Sequence, residues 1–331
     1  MKIYDYYGFM TQVLRNMQAR GKGVSRKAAK QNGTDRARIH ADDTFATYGQ
    51  QAKYYAKWLD EKHPDVHQVK QMRRLVREYL LELQDTGYAA STITTAAAAL
   101  NKIFGIHPGD KDYFECPKRR REDFTRSRHP VKTDERYRPE YIKDICTFCD
   151  STGCRRNVLE KLQGRDLYDK DRLEGEKVKL ENKVNRNKDE EALLRAIRET
   201  MEFFPDFDYF ILHFKDKGGR FRIAPIIGPY RKEVIQRMRN TPALEYVWKV
   251  PQHLDIHAHR AVYANDLYKM YARPIEEIKD KKELYICRKD RKGTKLDKTA
   301  MGYVSVALGH GSGRTVFADY YLREGDFESG R

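Results

Sequence analysis

His257-Ala-His-Arg260, Leu308-Gly-His310 and Tyr320-Tyr321-Leu322 lie in the last third of the sequence, and Thr152-Gly-Cys-Arg155 precedes them. Two arginines, two histidines and a tyrosine in this order can break a phosphodiester without a metal. A tyrosine hydroxyl attacks phosphorus, and cationic donors take up the charge that grows on the phosphorus oxygens. Arg155 and Arg260 offer planar forks that each grip two non-bridging oxygens, a geometry lysine does not match. Those oxygens gain charge in the pentacoordinate transition state, so the forks bind it more tightly than the ground state. A phenol, with a pKa near ~10, is protonated at neutral pH and needs help to attack. No residue here is informative alone in a chain with 65 Lys and Arg and 22 Tyr. The signal is the ordered set.

The charge balance points the same way. Among 331 residues, 34% are charged and 40% hydrophobic, and the formal net charge is +16. A polyanionic partner is expected, and nucleic acid is the commonest one. The charge is concentrated: residues 15–38 hold eight Lys/Arg and one acid, and residues 117–138 hold nine and four. The start of the chain lacks a signal-peptide pattern and no apolar run approaches a membrane span, which predicts a cytoplasmic, nucleoid-associated protein without membrane partners. Cys116, Cys146, Cys149, Cys154 and Cys287 are an odd set without a disulfide framework, which fits a reducing compartment. Cys146-Thr-Phe-Cys149 has metal-ligand spacing but no second Cys/His pair at a suitable distance. It falls in the helical pattern Tyr141, Ile142, Ile145, Phe148, so buried cysteines are expected there rather than zinc.

Several elements must position these groups. Residues 1–40 read as a short helix followed by a flexible basic arm. Residues 41–107 read as a small all-helical domain. Within it Val69, Met72, Val76, Leu80 and Leu83 mark one helix, and Ile93, Ala97, Leu100 and Phe104 another, after a Ser91 cap. Residues 108–138, with Pro108, Pro117 and Pro130, read as a basic linker, on which Lys118, Arg119, Arg120, Arg121, Arg126 and Arg128 are candidate phosphate-backbone contacts. Residues 139–331 form a mixed domain. A helix over 139–150 leads through Gly153 towards Arg155. Alternation over Tyr209–Phe214 and Arg220–Ile223 predicts a β-hairpin closed by Pro225. Helices are expected over 256–271 and 299–309, with a polar hairpin from Glu283 to Leu296 between them.

Thr152-Gly-Cys-Arg155 with Asp166-Leu167, Lys217-Gly-Gly-Arg-Phe-Arg222-Ile-Ala-Pro225, the His257–Arg260 helix, Leu308-Gly-His310 and the final Tyr-Leu together resemble the tyrosine recombinase (phage-type integrase) family over about residues 44–325. The resemblance implies an all-α, SAM-like core-binding domain and a mainly helical α/β catalytic domain with a small antiparallel sheet. Closed around duplex DNA, the two would form a C-shaped clamp. It implies strand cleavage through a 3′-phosphotyrosyl intermediate, in which Arg155 and Arg260 hold the phosphate. His257 then accepts the tyrosine proton, His310 donates to a phosphate oxygen and Lys217 protonates the leaving 5′-oxygen. No cofactor or metal is implied. The implied partners are double-stranded DNA, further copies of the chain in a tetramer on two sites, and accessory DNA-bending or directionality factors.

Some positions depart from the family pattern or leave two candidates. Val158 stands three residues after Arg155, where the family often has an acid. The interval from Arg155 to Lys217 is long and holds an extra segment, 168–205, with a helix expected over Glu190–Phe204. Arg156 adjoins Arg155, and Lys215 is the fallback for Lys217. Tyr321, which directly precedes Leu322, is favoured as nucleophile, with Tyr320 as fallback. The expected setting is integration and excision of a mobile element. The alternatives are strand relaxation of the type IB topoisomerase kind, or a catalytically silent DNA-binding accessory factor.

Overall fold

Helical spacing in the first third of the chain becomes a bundle in which the longer helices turn their apolar stripes inwards. The computed structural model describes residues 2–119, 133–216, 219–288, 291–311, 313 and 315–322. The chain divides into two units, Met1–Asp123 and Phe124–Arg331.

The first unit holds α1 (Tyr6–Gly21), α2 (Arg26–Gln31), α3 (Asp42–Lys62), α4 (Val69–Asp85) and α5 (Ala90–Phe104). Met72, Val76 and Leu80 of α4 recur at i, i+4 and i+8 and are fully buried against Tyr55 and Leu59 of α3 and Leu100 of α5. The Tyr55 hydroxyl, inside this core, donates to the Met72 carbonyl at 2.5 Å, so its polar end is satisfied. Gly105 ends α5 at φ 64°, a left-handed cap that glycine adopts without strain. Ser91 is not the cap of α5. The helix starts at Ala90 after Ala89, and the Ser91 carbonyl instead accepts from the Thr95 hydroxyl.

Residues 1–40 are not a free arm. Ile3, Tyr6, Met10, Leu14 and Ile39 are buried in the core of α3–α5. The Ile39 amide donates to the Met17 carbonyl at 3.0 Å. At Gly21 the returning chain passes so close that a Cβ would meet the Ile39 carbonyl oxygen at 1.9 Å, which only glycine permits. The basic residues of this stretch disguised it, because Met10 and Leu14 form only a narrow inward stripe. The expected linker is also shorter than 108–138. Phe114 is buried in the first unit, and Arg73 pairs with Asp110 at 2.6 Å. At the other end, Asp134 accepts from the Asp255 amide at 2.8 Å and belongs to the second unit.

The second unit is mainly helical with a small antiparallel sheet. In chain order it contains α6 (Pro139–Thr152), α7 (Arg156–Leu159), β1 (Leu167–Asp169), α8 (Lys170–Asn182), α9 (Lys188–Phe203), β2 (Tyr209–Asp216), β3 (Arg220–Pro225), α10 (Arg231–Asn240), α11 (Ile256–Tyr271), β4 (Leu284–Ile286), β5 (Lys295–Asp297) and α12 (Lys298–Ala307). It ends, among the described residues, in a single π turn, Phe317–Tyr321. β1, β2 and β3 form one sheet in that order, and β4 pairs with β5. The expected hairpins and the helix in the extra segment are therefore present. The strand β1 and helices α8 and α10 are additional. α8 and α10 are dominated by charge, with two buried residues each, Leu173 and Leu180, and Val234 and Met238.

The sheet is covered on both faces. Phe210, Leu212 and Ile223 pack with α9, α11 and α12, whereas Ile211 and Ile226 pack with α6, α7 and α10. α11 is buried nearly all round, including Arg260, Ala261, Tyr263, Ala264, Leu267 and Tyr268. It is the central post of the unit. Asp255 caps it by accepting from the Ala258 amide at 3.1 Å. No helix among the described residues is long and apolar enough to cross a membrane.

Candidate active site

His257 and Arg260 are three residues apart on α11 and so share a face. Arg260, 1% exposed, distributes its guanidinium over three acceptors. Its Nε donates to the Tyr321 hydroxyl at 3.1 Å, Nη2 to the Leu308 carbonyl at 2.7 Å, and Nη1 to the Gly153 carbonyl. Five N–H donors belong to the group, so donors remain beyond these three bonds. Gly153 closes α6 at φ 58°, and a Cβ there would lie 2.5 Å from a ring carbon of Tyr263. A glycine is therefore required both for the left-handed turn and for the close packing of α6 on α11.

That turn directs Arg155 inwards. Its Nη1 donates to Asp216 on β2, and its Nη2 lies 3.4 Å from His310 Nε2. Arg156 points elsewhere and donates to the Pro251 and Leu254 carbonyls at 2.9 and 2.8 Å. Of the two candidates, only Arg155 joins the cluster.

The two tyrosines diverge. Tyr321 is 3% exposed and Tyr320 45%. The π turn packs Phe317 flat on Tyr268 at 4.6 Å between centroids, and Asn265 Nδ2 donates to the Tyr321 carbonyl at 2.7 Å. The Tyr321 ring lies 5.6 Å from the His257 ring. Burial alone would raise its hydroxyl pKa. The charge and hydrogen bond of Arg260, with Arg155 and Arg222, outweigh burial and hold it below the ordinary phenol value.

Three members of the cluster escaped the sequence reading as site residues: His213, Asp216 and Arg222. Arg222 lies on the predicted return strand, and with both faces of the sheet covered it is 3% exposed. Its Nη1 donates to the Ala307 carbonyl, its Nη2 to the Gly153 carbonyl at 3.3 Å, and the same Nη2 meets His213 Nδ1. Its Nε lies 3.6 Å from Asp216. Burial, then Arg222, Arg260 and Arg155, push the His213 pKa well down, so it is a neutral imidazole. Its Nδ1 then accepts from Arg222. Asp216 is the carboxylate that meets Arg155 and Arg222, whereas Val158 of α7 is buried in an apolar core. The only hint in the sequence was the paired register of the hairpin, which sets His213 opposite Arg222.

Three guanidinium cations thus share the site with one carboxylate, and the four groups retain an excess of positive charge. Buried arginines without matching acids suit an anion with several oxygens. His257 and His310 are half-buried beside them. Lys217 lies outside the described residues. Its fallback, Lys215, pairs with Asp189 at 2.6 Å on the outer side of the hairpin. Of the linker candidates, Lys118 and Arg119 are exposed, and Arg120, Arg121, Arg126 and Arg128 lie outside the described residues. No protein-family model matches the chain, and no curated protein matches it.

Proposed function

We propose that the protein is a site-specific DNA recombinase of the tyrosine type, acting in integration or excision of a mobile element. The observation that carries this reading is the Tyr321 hydroxyl held at 3.1 Å by Arg260 inside a group of three buried or half-buried arginines. In the proposed step, Tyr321 Oη attacks a phosphodiester phosphorus, its proton passes to His257, and the bond to the 5′-oxygen breaks. Arg155, Arg260 and His310 hold the non-bridging oxygens, and Lys217 gives a proton to the departing 5′-oxygen, which leaves as the hydroxyl. The 3′-phosphotyrosyl bond stores the phosphodiester energy, so a second 5′-hydroxyl can rejoin the strand without ATP. Because Tyr321 is enclosed, its hydroxyl must turn from Arg260 towards Arg155 and His310 when a phosphate arrives. A single π turn, a feature frequent at functional sites, is suited to that adjustment.

The helical first unit would serve as the core-binding, SAM-like domain, with duplex DNA as partner and a tetramer as the working assembly. Accessory DNA-bending or directionality factors would set the reaction's direction. The test uses nicked duplexes built from inverted repeats flanking the gene. The wild type and Tyr320→Phe should form a covalent adduct that survives denaturant, and Tyr321→Phe should not. An adduct that survives in Tyr321→Phe and disappears in Tyr320→Phe overturns the assignment of the nucleophile. Plasmid relaxation without strand exchange would point to a topoisomerase, and binding alone to an accessory factor.

A further inference from the structure

One position before Arg260 on α11, His259 belongs to a second group of reactive side chains that the proposed chemistry does not use. His259 is almost buried, and both of its ring nitrogens face carboxylates. Its Nδ1 is 2.9 Å from Asp150 Oδ1, and its Nε2 is 2.7 Å from Asp134 Oδ2. The Cys146 thiol approaches the same Asp134 oxygen at 3.6 Å. One ligand atom each from Asp134, Cys146 and His259 fall within 4.8 Å of one another. They come from three places in the chain: the short 3-10 turn Thr133–Arg136, α6 and α11.

We propose that Asp134, Cys146 and His259 form a binding site for a single zinc ion. The donor set of one thiolate, one imidazole and one carboxylate matches zinc, and the thiolate selects against magnesium and calcium. The charges balance: Zn²⁺, one thiolate, one carboxylate, a neutral imidazole and a water in the fourth position sum to zero. Binding displaces two protons, from the Cys146 thiol and from His259 Nε2, and requires no redox step.

The surroundings are those of a built metal site. With Nε2 on the metal, Nδ1–H donates to Asp150, the carboxylate–histidine arrangement that fixes tautomer and ring orientation. Asp134 is held before any metal arrives, since its other oxygen accepts from the Asp255 amide at 2.8 Å. A proton on His259 Nε2, with the thiol donating to Asp134, would also satisfy both carboxylates, and metal titration separates the two arrangements. The Cys146-Thr-Phe-Cys149 spacing is a false lead, because Cys149 turns into an apolar core while Cys146 faces Asp134 and lies within 4.8 Å of a ring nitrogen of His259. The ion would tie the turn that opens the described part of the second unit to the helix bearing His257 and Arg260. This inference does not rest on the recombinase reading.

The test uses the full chain, stripped with chelator and titrated with Co²⁺ as a spectroscopic probe and then with Zn²⁺. One equivalent of Co²⁺ should give a thiolate-to-cobalt charge-transfer band, which one equivalent of Zn²⁺ abolishes. The melting temperature should rise with zinc concentration, because only the folded chain presents the three ligands together. Cys146→Ser, checked for folding by circular dichroism, should lose the band, and Cys149→Ser should keep it. Asp134→Asn should weaken binding at least tenfold. Failure of the folded wild type to bind Co²⁺ stoichiometrically, or a band that persists in Cys146→Ser, overturns the proposal.

Discussion

Arg155 and Arg156 are neighbours of identical chemistry, but the structure gives them different partners, so a pair of alanine variants can test the separate roles proposed for them. Arg156→Ala removes two donors, leaving the Pro251 and Leu254 carbonyls without their guanidinium partner. At about 1 kcal/mol for each net hydrogen bond, the second unit loses about 2 kcal/mol. For a domain of this size that corresponds to a fall of roughly 4–8 °C in melting temperature. No reacting group is touched, so cleavage by the folded variant should stay within a few fold of wild type. Arg155→Ala removes a transition-state donor, which is worth about 10²–10³ in cleavage rate, or roughly 2.7–4 kcal/mol. Its cost in folding is limited, because Asp216 keeps Arg222 with Nε 3.6 Å away. The loss should therefore stay under the roughly 3–5 kcal/mol of stranding a buried charge. Both variants should bind DNA nearly as the wild type does. The assay measures adduct formation on a nicked duplex well below all three melting temperatures, with calorimetry on the same samples. An inactive but folded Arg156→Ala beside an active Arg155→Ala would refute the reasoning and shift the site by one residue.

Other outcomes follow from single features of the structure. Because Arg260, Arg155 and Arg222 hold the Tyr321 hydroxyl below the ordinary phenol value, adduct formation should rise with pH and level off below about 10, and a rate still climbing past that value would contradict it. Leu14→Ala should destabilise the first unit by about 2–5 kcal/mol, measured by urea unfolding, whereas a free arm would tolerate it without change. Neutralising Lys118, Arg119, Arg120 and Arg121 together should flatten the salt dependence of DNA binding, by about 0.9 in log–log slope for each phosphate left without its cation, and an unchanged slope would place the run in solvent. EDTA should leave strand cleavage intact while lowering the melting temperature, and a loss of cleavage restored by Mg²⁺ would sink the side-chain mechanism.

The groups that the structure brings together were legible where the backbone itself has a local signature. Gly153 is needed by the turn before Arg155, the i, i+3 spacing places His257 with Arg260, and turn chemistry frames the hairpin. What stayed hidden depends on packing between distant elements. Period-two alternation identifies a strand but not whether both of its faces are covered, so nothing in it marked His213, Asp216 and Arg222 as one buried group. The first forty residues misled in the converse way. Their basic composition comes mostly from residues after α1, whereas the place of α1 in the fold is fixed by Met10, Leu14 and the absent side chain of Gly21.

The choice between Tyr320 and Tyr321 shows the same limit most sharply. In a regular helix both hydroxyls lie on a continuing surface, and the apolar residue one turn behind each is equally plausible. The structure breaks this symmetry by inserting one extra residue per turn. The Leu322 amide reaches back to the Phe317 carbonyl at 3.0 Å, a π rather than an α step. With Phe317 fixed flat on Tyr268, that step rotates Tyr321 under Arg260 and leaves Tyr320 outside. The distinction therefore rests on the Phe317–Tyr268 stack as much as on the tyrosines. Phe317→Ala should loosen the turn and slow adduct formation without altering which tyrosine is modified. If mapping of the adduct from Phe317→Ala instead finds Tyr320 carrying the phosphate, the turn selects the nucleophile rather than merely supporting it, and the fixed role given to Tyr321 fails.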